Sequence, residues 1–223
     1  MGYLSVIFSA KRRPQGTYPS LICKYFVDHY FKPDYKTILD VGCGKGTHMR
    51  EFQKLGYDVT GIDKLEEARE LSPDLHIQIA DLESNILPFP DNTFDVVILK
   101  QVLEHIHRPD HCMGEACRVL RPGGRVIIEL PDFARHKNFY SDYTHVTPFV
   151  LESLTNILLI HGFNIVEVKR FYQLPFLWEM PWLSFLIPFF RLFPEPKNPL
   201  KNHWTKWVWC SRGTNLHGVG EKD

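Results

Sequence analysis

The chain has 223 residues, enough for one domain with a full hydrophobic core and too few for two of ordinary size. Lysine and arginine together number 26, as do aspartate and glutamate, so the chain carries no net charge. A neutral chain lacks the basic surface that nucleic-acid binding requires, and we expect a small or neutral ligand instead. The five cysteines include no C-x-x-C pair, which favours reduced thiols and a cytoplasmic protein over a disulfide framework.

The first 36 residues are predicted to form an N-terminal segment that ends in a helix. Its start, MGYLSVIFSAKRRPQG, places a short apolar run before basic residues, the reverse of a signal peptide, so no export signal is expected. Ser20 to Phe31 has apolar residues at helical spacing, and Pro33 ends this predicted helix.

Strand and helix patterns alternate from residue 37 to residue 173. The strand segments are TILDVG, DVTGID, LHIQIA, FDVVILK, GRVIIEL and NIVEVKRFY. This alternation predicts an α/β fold in which helices cover both faces of a parallel sheet. The last helix of the region is expected to have Thr147 as its N-cap and Pro148 in its first turn, and to end at Gly162.

Residues 174–200 form an aromatic, proline-rich insertion, and residues 201–223 follow as the final strand and a tail. The final strand is predicted at HWTKWVWCSR, where side chains alternate between two faces. A membrane span is not expected in the insertion, because prolines interrupt it and Glu179 and Arg191 lie within it. The insertion could be a lid over an apolar pocket, a membrane contact or a dimer surface.

The segment Asp40–Gly46, DVGCGKG, joins the first predicted strand to the next helix. Its glycines let the backbone turn tightly and approach a ligand. Asp63 ends the following strand, where a carboxylate can accept hydrogen bonds from ribose hydroxyls. The spacing is G-x-G-x-G, with Thr47 where a dinucleotide fingerprint has its third glycine. Asp40 would repel a pyrophosphate, whereas it suits a ligand that carries ammonium and sulfonium groups.

Asp81 and Leu82 end the third predicted strand, in position to meet an adenine ring. The ordered motifs ILDVGCGKG, GID, IADLE, LPFPDNTFDVVILKQVLEHI and CRVLRPGGRVIIELP resemble those of the class I S-adenosylmethionine-dependent methyltransferases. The resemblance covers Thr37 to about Phe163, and the small-molecule enzymes related to quinone-biosynthesis methyltransferases are the most similar subgroup. DYTHVTPFVLESLTNILLIHGF is similar to segments of methyltransferases from glycan and other surface-polymer biosynthesis clusters.

The resemblance implies a Rossmann-like fold with a mostly parallel seven-stranded sheet and an antiparallel last strand. It implies S-adenosyl-L-methionine as cofactor, with the glycine loop along the methionine moiety, Asp40 at the ammonium group and Asp63 at the ribose. Lys100 and Gln101, after the fourth strand, would border the transferred methyl group with their backbone carbonyls. The predicted cofactor-binding residues are Asp40, Gly42, Cys43, Gly44, Gly46, Asp63, Lys64, Asp81, Leu82, Lys100 and Gln101.

His145 is the leading candidate for a catalytic residue. It follows the fifth predicted strand, and a sugar hydroxyl or phenol that accepts a methyl group must lose a proton, for which histidine is a natural base. Asp142 is the candidate orienting carboxylate, although His145 could instead shape the loop by bonding a backbone carbonyl. His105 is expected to be structural. No metal site is predicted, because the cluster His105, His107, His111, Cys112 and Cys117 does not share one helical face.

The sequence therefore predicts a methyltransferase that acts on a small-molecule or glycan-related acceptor, with oxygen as the methylated atom. One alternative is carbon methylation of a quinone-like ring, and another is a methyltransferase-like module that binds without catalysis. The expected partners are the small-molecule or lipid-linked acceptor, with no nucleic acid. We expect a cytoplasmic monomer or homodimer. Peripheral contact of residues 174–193 with the inner membrane face is one of the three interpretations of the insertion.

Overall fold

The computed structural model describes residues 3–7, 16–83, 86–135, 139–194, 203–211 and 214–223. The strands are β1 (Thr37–Val41), β2 (Asp58–Asp63), β3 (Ile77–Ile79), β4 (Phe94–Lys100), β5 (Leu120–Pro131), β6 (Phe163–Tyr172) and β7 (Thr214–Lys222). The α-helices are α1 (Tyr3–Ile7), α2 (Tyr18–Tyr30), α3 (Thr47–Lys54), α4 (Glu66–Leu71), α5 (Pro109–Val119), α6 (Leu151–Ile160), α7 (Phe176–Glu179), α8 (Ile187–Arg191) and α9 (His203–Cys210).

The strands form one seven-stranded sheet in the order β3-β2-β1-β4-β5-β7-β6. β1 to β5 pair in parallel, and β7 runs antiparallel to both β5 and β6. The predicted Rossmann-like fold with an antiparallel last strand is confirmed. The chain reverses its direction of travel across the sheet between β1 and β4, and ligands of such sheets bind at this point, beyond the carboxyl ends of the strands.

Helices cover both faces of the sheet, as the alternating pattern predicts. Adjacent residues of β1 point to opposite faces: Leu39 packs into a buried cluster with Leu154 of α6, and Ile38 packs into a second cluster with Phe26 of α2. Each such side chain is fully or almost fully buried, which contributes about 1.5–3 kcal/mol to folding. The two cores fix the strands whose ends carry the candidate site.

The prediction of the final strand at HWTKWVWCSR is wrong, because this segment contains the helix α9. Trp204 and Trp207 are three residues apart, a spacing that puts them on one side of a helix and on opposite sides of a strand. Both rings contact Phe190 of α8, with centroids 5.5 and 5.8 Å away. Packing against α8 therefore selects the helical period over the alternation seen in the sequence.

The seventh strand lies at Thr214–Lys222, which has low strand propensity because it contains two glycines. These glycines serve close packing between α6 and the sheet. A Cβ atom at Gly218 would lie 3.1 Å from Leu154, and one at Gly220 would lie 2.8 Å from Phe163 and 3.1 Å from Leu158. The strand is central, between β5 and β6, and pairing with both neighbours outweighs its weak intrinsic preference.

Helix α6 begins later than the sequence predicts. Thr147 is not its N-cap, since its hydroxyl donates to Ile106 O at 2.6 Å and its N–H donates to Glu104 O at 3.1 Å. The helix starts at Leu151, where the Ser153 hydroxyl accepts a hydrogen bond from Val150 N at 2.9 Å. Residues 139–150 therefore form a loop that begins with a 3₁₀ helix, Phe139–Ser141, and bonds to the segment after β4. The predicted end is confirmed, since Gly162, just beyond the helix, has a φ of +77°.

The insertion folds into short helices: α7, a 3₁₀ helix at Pro181–Leu186, and α8. Together with α9 they surround a small apolar core that contains Leu174, Leu177, Ile187 and Cys210. Residues 195–200 of the predicted insertion lie outside the described residues, as do residues 1–2 and 8–15 of the predicted N-terminal segment. None of the helices in the described ranges combines the length and apolar content that crossing a bilayer requires.

Candidate active site

The glycine loop between β1 and α3 folds in the left-handed conformation that glycine favours. Gly42, Gly44 and Gly46 have φ values of +68°, +52° and +64°. The loop is tied to the neighbouring strand because the N–H groups of Gly42 and Cys43 both donate to Ile62 O, at 2.7 and 3.1 Å. A Cβ atom at Gly42 would lie 2.6 Å from Val102, so a side chain does not fit there.

Two aspartates flank this loop, as predicted. The Asp63 carboxylate ends β2 and accepts hydrogen bonds from Gly44 N and Leu65 N, both at 2.9 Å. Asp40 of β1 is 3% exposed, and its Oδ2 has no hydrogen-bond partner among the described residues. Burial, together with the neighbouring Asp63, raises the pKa of Asp40 to about 7, against a lowering effect of Lys100. A buried carboxylate without a partner is a place for a cationic ligand and an unsuitable one for a pyrophosphate.

The residues predicted at the adenine end lie beside β3 but contact little else. Asp81 is exposed, and its Oδ1 accepts a hydrogen bond from Glu83 N at 3.0 Å. Leu82 is half-buried against the core cluster on the α5 face, and Lys64 is exposed directly after β2. Their contact with a cofactor stays a prediction.

Lys100 and Gln101 end β4 beside β5. The Lys100 ammonium lies 3.3 Å from the carboxylate of Glu129, which is 1% exposed, and 5.8 Å from the ring centroid of Tyr18. Gln101 has a φ of +58°, unusual for a residue with a side chain, and its N–H donates to Glu129 O at 2.6 Å. The Lys100 side chain is thus engaged within the protein, which is compatible with the predicted use of backbone carbonyls toward the cofactor.

The loop 139–150 brings His145 to the carboxyl end of β4. Val146 N and Thr147 N donate to Glu104 O at 2.8 and 3.1 Å, which ties this loop to the segment that follows β4. His145 Nδ1 lies 2.7 Å from Phe139 O. A carbonyl oxygen only accepts, so Nδ1 carries a proton and Nε2 of the neutral ring has a free lone pair.

Asp142 does not orient the His145 ring by a side-chain hydrogen bond, contrary to the expectation from sequence. Its Oδ1 accepts hydrogen bonds from Thr144 N at 3.1 Å and from the Thr144 hydroxyl at 2.6 Å. The same hydroxyl lies 2.9 Å from His105 Nδ1, so Asp142 is connected through Thr144 to His105. The Phe139 carbonyl takes the orienting position at His145, because the loop turns back on itself between residues 139 and 145.

Glu104, His105 and His145 meet at this place, a grouping that the sequence analysis missed. One ligand atom from each lies within 4.8 Å of the others, and the two imidazole centroids are 4.6 Å apart. Burial raises the pKa of Glu104 to about 8 and, together with His145, lowers that of His105. The grouping joins residues far apart in sequence, so only the adjacency Glu104-His105 was visible beforehand.

The histidine and cysteine cluster considered in the sequence does not assemble. His107 points to Glu83, with Nδ1 3.1 Å from its carboxylate, and Cys112 is buried in the core. Among the described residues, the group of Glu104, His105 and His145 is the one whose ligand atoms come together as a metal site would require.

Two segments close over the site from outside the sheet. A Cβ atom at Gly44 would lie 3.8 Å from Leu4 of α1, while Leu4 N and Ser5 N donate to the Glu67 carboxylate at 2.9 Å each. The Tyr3 hydroxyl donates to Asp142 at 3.2 Å, so α1 connects α4 to the loop 139–150. Helix α7 contributes Trp178, whose ring contacts that of Tyr18 with centroids 5.6 Å apart.

An aromatic cavity of about 200 Å³ lies between α2, β6 and α7. Trp178 stacks on Phe171 with a centroid distance of 5.0 Å and contacts Tyr25 at 5.3 Å. Lys169 Nζ lies at its rim, 3.0 Å from the Tyr25 hydroxyl. The inner face of the insertion therefore packs on the side of the sheet that carries Lys100 and Glu129, and its outer face is left to solvent.

Residues 39–128 match the family model described as a methyltransferase domain. The chain is 30% identical over 113 residues to a demethylmenaquinone methyltransferase of Renibacterium salmoninarum, a match that covers 48% of this chain and 47% of that protein. It is 36% identical over 101 residues to a ubiquinone biosynthesis O-methyltransferase of Aeromonas salmonicida, covering 42% of each. The chain spans about half the length of the curated relatives it matches.

The fold is also that of solved methyltransferase structures. An S-adenosylmethionine-dependent methyltransferase from Archaeoglobus fulgidus superposes with a TM-score of 0.66 at 19% identity, over 99% of this chain and all of that one. At this identity the likeness concerns the fold. The match to the methyltransferase family model, together with the glycine loop and the unpartnered Oδ2 of Asp40, makes S-adenosyl-L-methionine the cofactor of the site.

Proposed function

Because the chain belongs to the class I S-adenosylmethionine-dependent methyltransferases, we propose that it methylates an oxygen atom of a small-molecule or glycan-related acceptor. The bound cofactor supplies an activated methyl group on a sulfonium. The protein must align the acceptor oxygen, exclude water and remove the hydroxyl proton.

The cofactor side of this proposal uses the predicted residues in separate roles. Asp40, with its unpartnered Oδ2, binds the ammonium group, and the free lone pairs of Asp63 bind the ribose hydroxyls. Asp81 and Leu82 bind the adenine, flanked by Lys64. The glycine loop, including Cys43, lines the methionine moiety, and the backbone of Lys100 and Gln101 borders the methyl group.

The observation that best supports oxygen as the methylated atom is the tautomer of the His145 ring. Its Nδ1 is committed to the Phe139 carbonyl, so the neutral ring presents an unprotonated Nε2. Its loop is bonded to the segment after β4, next to the residues proposed to border the methyl group. This is the position in which a hydroxyl proton has to be removed during transfer.

Carbon methylation of a quinone-like ring is the second candidate. One of the relatives is a demethylmenaquinone methyltransferase, and the aromatic content of the insertion suits an apolar acceptor. A ring carbon activated by a neighbouring hydroxyl would use the same base, so the position of the product methyl group distinguishes the two.

The outer face of the insertion supports contact with a membrane surface. Trp182 and Phe185 are 67% and 64% exposed, and exposed apolar side chains continue along α8 and α9. They are Phe189, Leu192, Trp204 and Trp207. Exposed tryptophan and phenylalanine on short helices favour the interface of a bilayer. In this proposal the inner face of the insertion covers the acceptor site as a lid, while the outer face contacts the membrane. A lipid-linked acceptor would reach the site from the membrane along the insertion.

Membrane contact can be tested by sedimentation with anionic phospholipid vesicles. We expect the wild-type chain to cosediment and the double variant Trp182→Ala/Phe185→Ala to lose at least half of its bound fraction. The matched control is Leu159→Ala/Ile160→Ala, which removes two exposed apolar side chains from α6. Equal binding of both variants would refute the contact, and concentration-dependent dimerisation lost in the first variant would identify a dimer surface instead.

The test of the proposed function is transfer of a labelled methyl group from S-adenosyl-L-methionine to panels of phenols, sugars and hydroquinones. We expect label in a methyl ether with the wild-type chain, none with Asp63→Ala, and a rate about 10² to 10⁴ times lower with His145→Ala. Label on a ring carbon would favour the second candidate. Cofactor binding with no transfer to any panel would favour a module that binds without catalysis.

A further inference from the structure

Glu104 is a buried acidic side chain that the cofactor site does not use. It is 0% exposed, and neither Oε1 nor Oε2 has a hydrogen-bond partner among the described residues. A buried carboxyl group with both oxygens unsatisfied costs several kcal/mol, so such groups are normally paired or coordinate a metal. Glu104 lies in the 3₁₀ helix Leu103–His105, and its backbone oxygen accepts hydrogen bonds from Val146 N and Thr147 N of the loop 139–150.

The two histidines beside it are held in one tautomer. His145 Nδ1 lies 2.7 Å from Phe139 O, and His105 Nδ1 lies 3.3 Å from Thr144 O and 2.9 Å from its hydroxyl oxygen. That hydroxyl donates to Asp142, so it accepts from His105. In both rings Nδ1 is therefore the donor and Nε2 keeps its lone pair, the arrangement that orients a metal-binding imidazole.

We propose that Glu104, His105 and His145 bind one divalent cation of the zinc type. Their ligand atoms lie within 4.8 Å of one another, and ligands about 2.0–2.2 Å from a common ion need only a small rotation from there. Two imidazoles and one carboxylate leave an open position for a fourth ligand, as in zinc sites that act on a bound substrate. A nitrogen-rich set of this kind disfavours magnesium, which prefers oxygen ligands.

The outer contacts give Asp142 a role that the sequence did not suggest. Asp142 orients Thr144, Thr144 orients His105, and the Phe139 carbonyl orients His145. Tyr3 of α1 also donates to Asp142, which links the N-terminal helix to the same group. Asp142 and Thr144 are positioning residues in this arrangement.

The catalytic use of the cation rests on the proposed function, whereas its binding does not. An acceptor hydroxyl bound at the open position of the cation would have a lowered pKa. The hydroxyl proton passes to water, the new O–CH₃ bond forms from the oxygen lone pair, and the S–CH₃ bond breaks with its electron pair on sulfur. His145 then serves as a metal ligand instead of accepting the proton on Nε2.

Calorimetric titration of the chelator-treated full chain with Zn²⁺ tests the site. We expect one equivalent to bind the wild type, at least 100-fold weaker binding by Glu104→Gln and His145→Asn, and a 10- to 100-fold loss in Thr144→Val. His107→Asn is the matched control, since His107 also contacts a carboxylate yet is exposed, and its affinity should be unchanged.

Circular dichroism establishes that each variant is folded, and Co²⁺ absorption of the wild type reports the ligand set without any variant. Less than a fifth of an equivalent of Zn²⁺ bound by the wild type, or equal affinity in Glu104→Gln, would overturn the site. Methyl transfer that persists after chelation would overturn the catalytic use while sparing the proposed function. Stoichiometric Zn²⁺ binding without transfer to any acceptor supports the site and refutes the proposed function.

Discussion

The two halves of the candidate site are built in different ways. The proposed cofactor half, residues 37–82, consists of consecutive strand–loop–helix units and contains the glycine loop, Asp40 and Asp63. The acceptor half combines the segment after β4, the loop 139–150, α1 and the insertion, which are distant in sequence and meet only in the fold. Local units can be recognised in a sequence, whereas groups assembled from distant loops have to be observed.

The largest expected effect on cofactor binding or stability comes from Asp63→Ala, in the cofactor half. Loss of two charge-assisted hydrogen bonds to the ribose should weaken S-adenosylhomocysteine binding about 100-fold, or about 3 kcal/mol. Asp58→Ala is the matched control, because Asp58 begins the same strand and is exposed at its opposite end. Calorimetric titration should show less than a twofold change for the control; equal losses would mean that Asp63 has no specific contact.

The next effect concerns the backbone. Gly42→Ala should reduce the free energy of unfolding by about 2 kcal/mol, because alanine at a φ of +68° is strained and its Cβ would lie 2.6 Å from Val102. Gly56→Ala is the control for strain alone, since Gly56 has a φ of +93° with open space around it. Urea unfolding measures both variants. If Gly42→Ala lowers the free energy of unfolding no more than Gly56→Ala does, the Val102 side chain moves aside at little cost.

A smaller effect is expected from pH. The pKa of Asp40 is raised to about 7 in the folded protein, so the ligand-free protein loses stability as pH rises from about 4 to 7, where the unfolded chain is already ionised. Cofactor affinity should change in the opposite direction and rise about tenfold between pH 6 and pH 8, as the carboxylate that binds the ammonium group forms. Asp40→Asn should remove this rise, and an unchanged pH profile in that variant would assign it to another group.

The smallest effect is expected from the exposed side chains of the insertion, and it tests whether the acceptor half influences cofactor binding. Trp182→Ala/Phe185→Ala should leave S-adenosylhomocysteine affinity within twofold and the free energy of unfolding within about 0.5 kcal/mol, since both side chains are mostly exposed. Leu177→Ala, in the same insertion but 5% exposed, should cost about 2–3 kcal/mol. A large loss of cofactor affinity in the double variant would mean that the insertion belongs to the cofactor half.

The fold and the positions of the glycine loop, Asp40 and Asp63 could be predicted because their signals are local. An apolar strand that ends in Asp40, a glycine turn and a following helix form one unit, and the next strand ends in Asp63 by the same logic. The acceptor half could be predicted only in part. The place of His145 after β5 made it a candidate, and its catalytic role stays a prediction. Its partner Phe139 and its neighbour Glu104 could not be predicted, because they depend on how the loop 139–150 lies against the segment after β4.

The errors in the last third of the chain have a common cause. HWTKWVWCSR alternates like a strand but packs as a helix on α8, while β7 contains Gly218 and Gly220 and shows little strand propensity. In both places the contacts come from other segments, α8 in one case and β5, β6 and α6 in the other. Tertiary packing outweighs local preference where elements are short or rich in glycine.

The position of β7 has a consequence for synthesis of the chain on the ribosome. Strand β6 pairs with the sheet only through β7, and β7 follows the insertion and α9 in sequence. Strands β1 to β5 can therefore pair before β7 has been synthesised. Until then β5 is an unpaired edge strand, and β6 and the aromatic helices after it expose apolar surface. Insertion of this glycine-containing strand between its two neighbours then attaches the acceptor half to a cofactor half that has already formed.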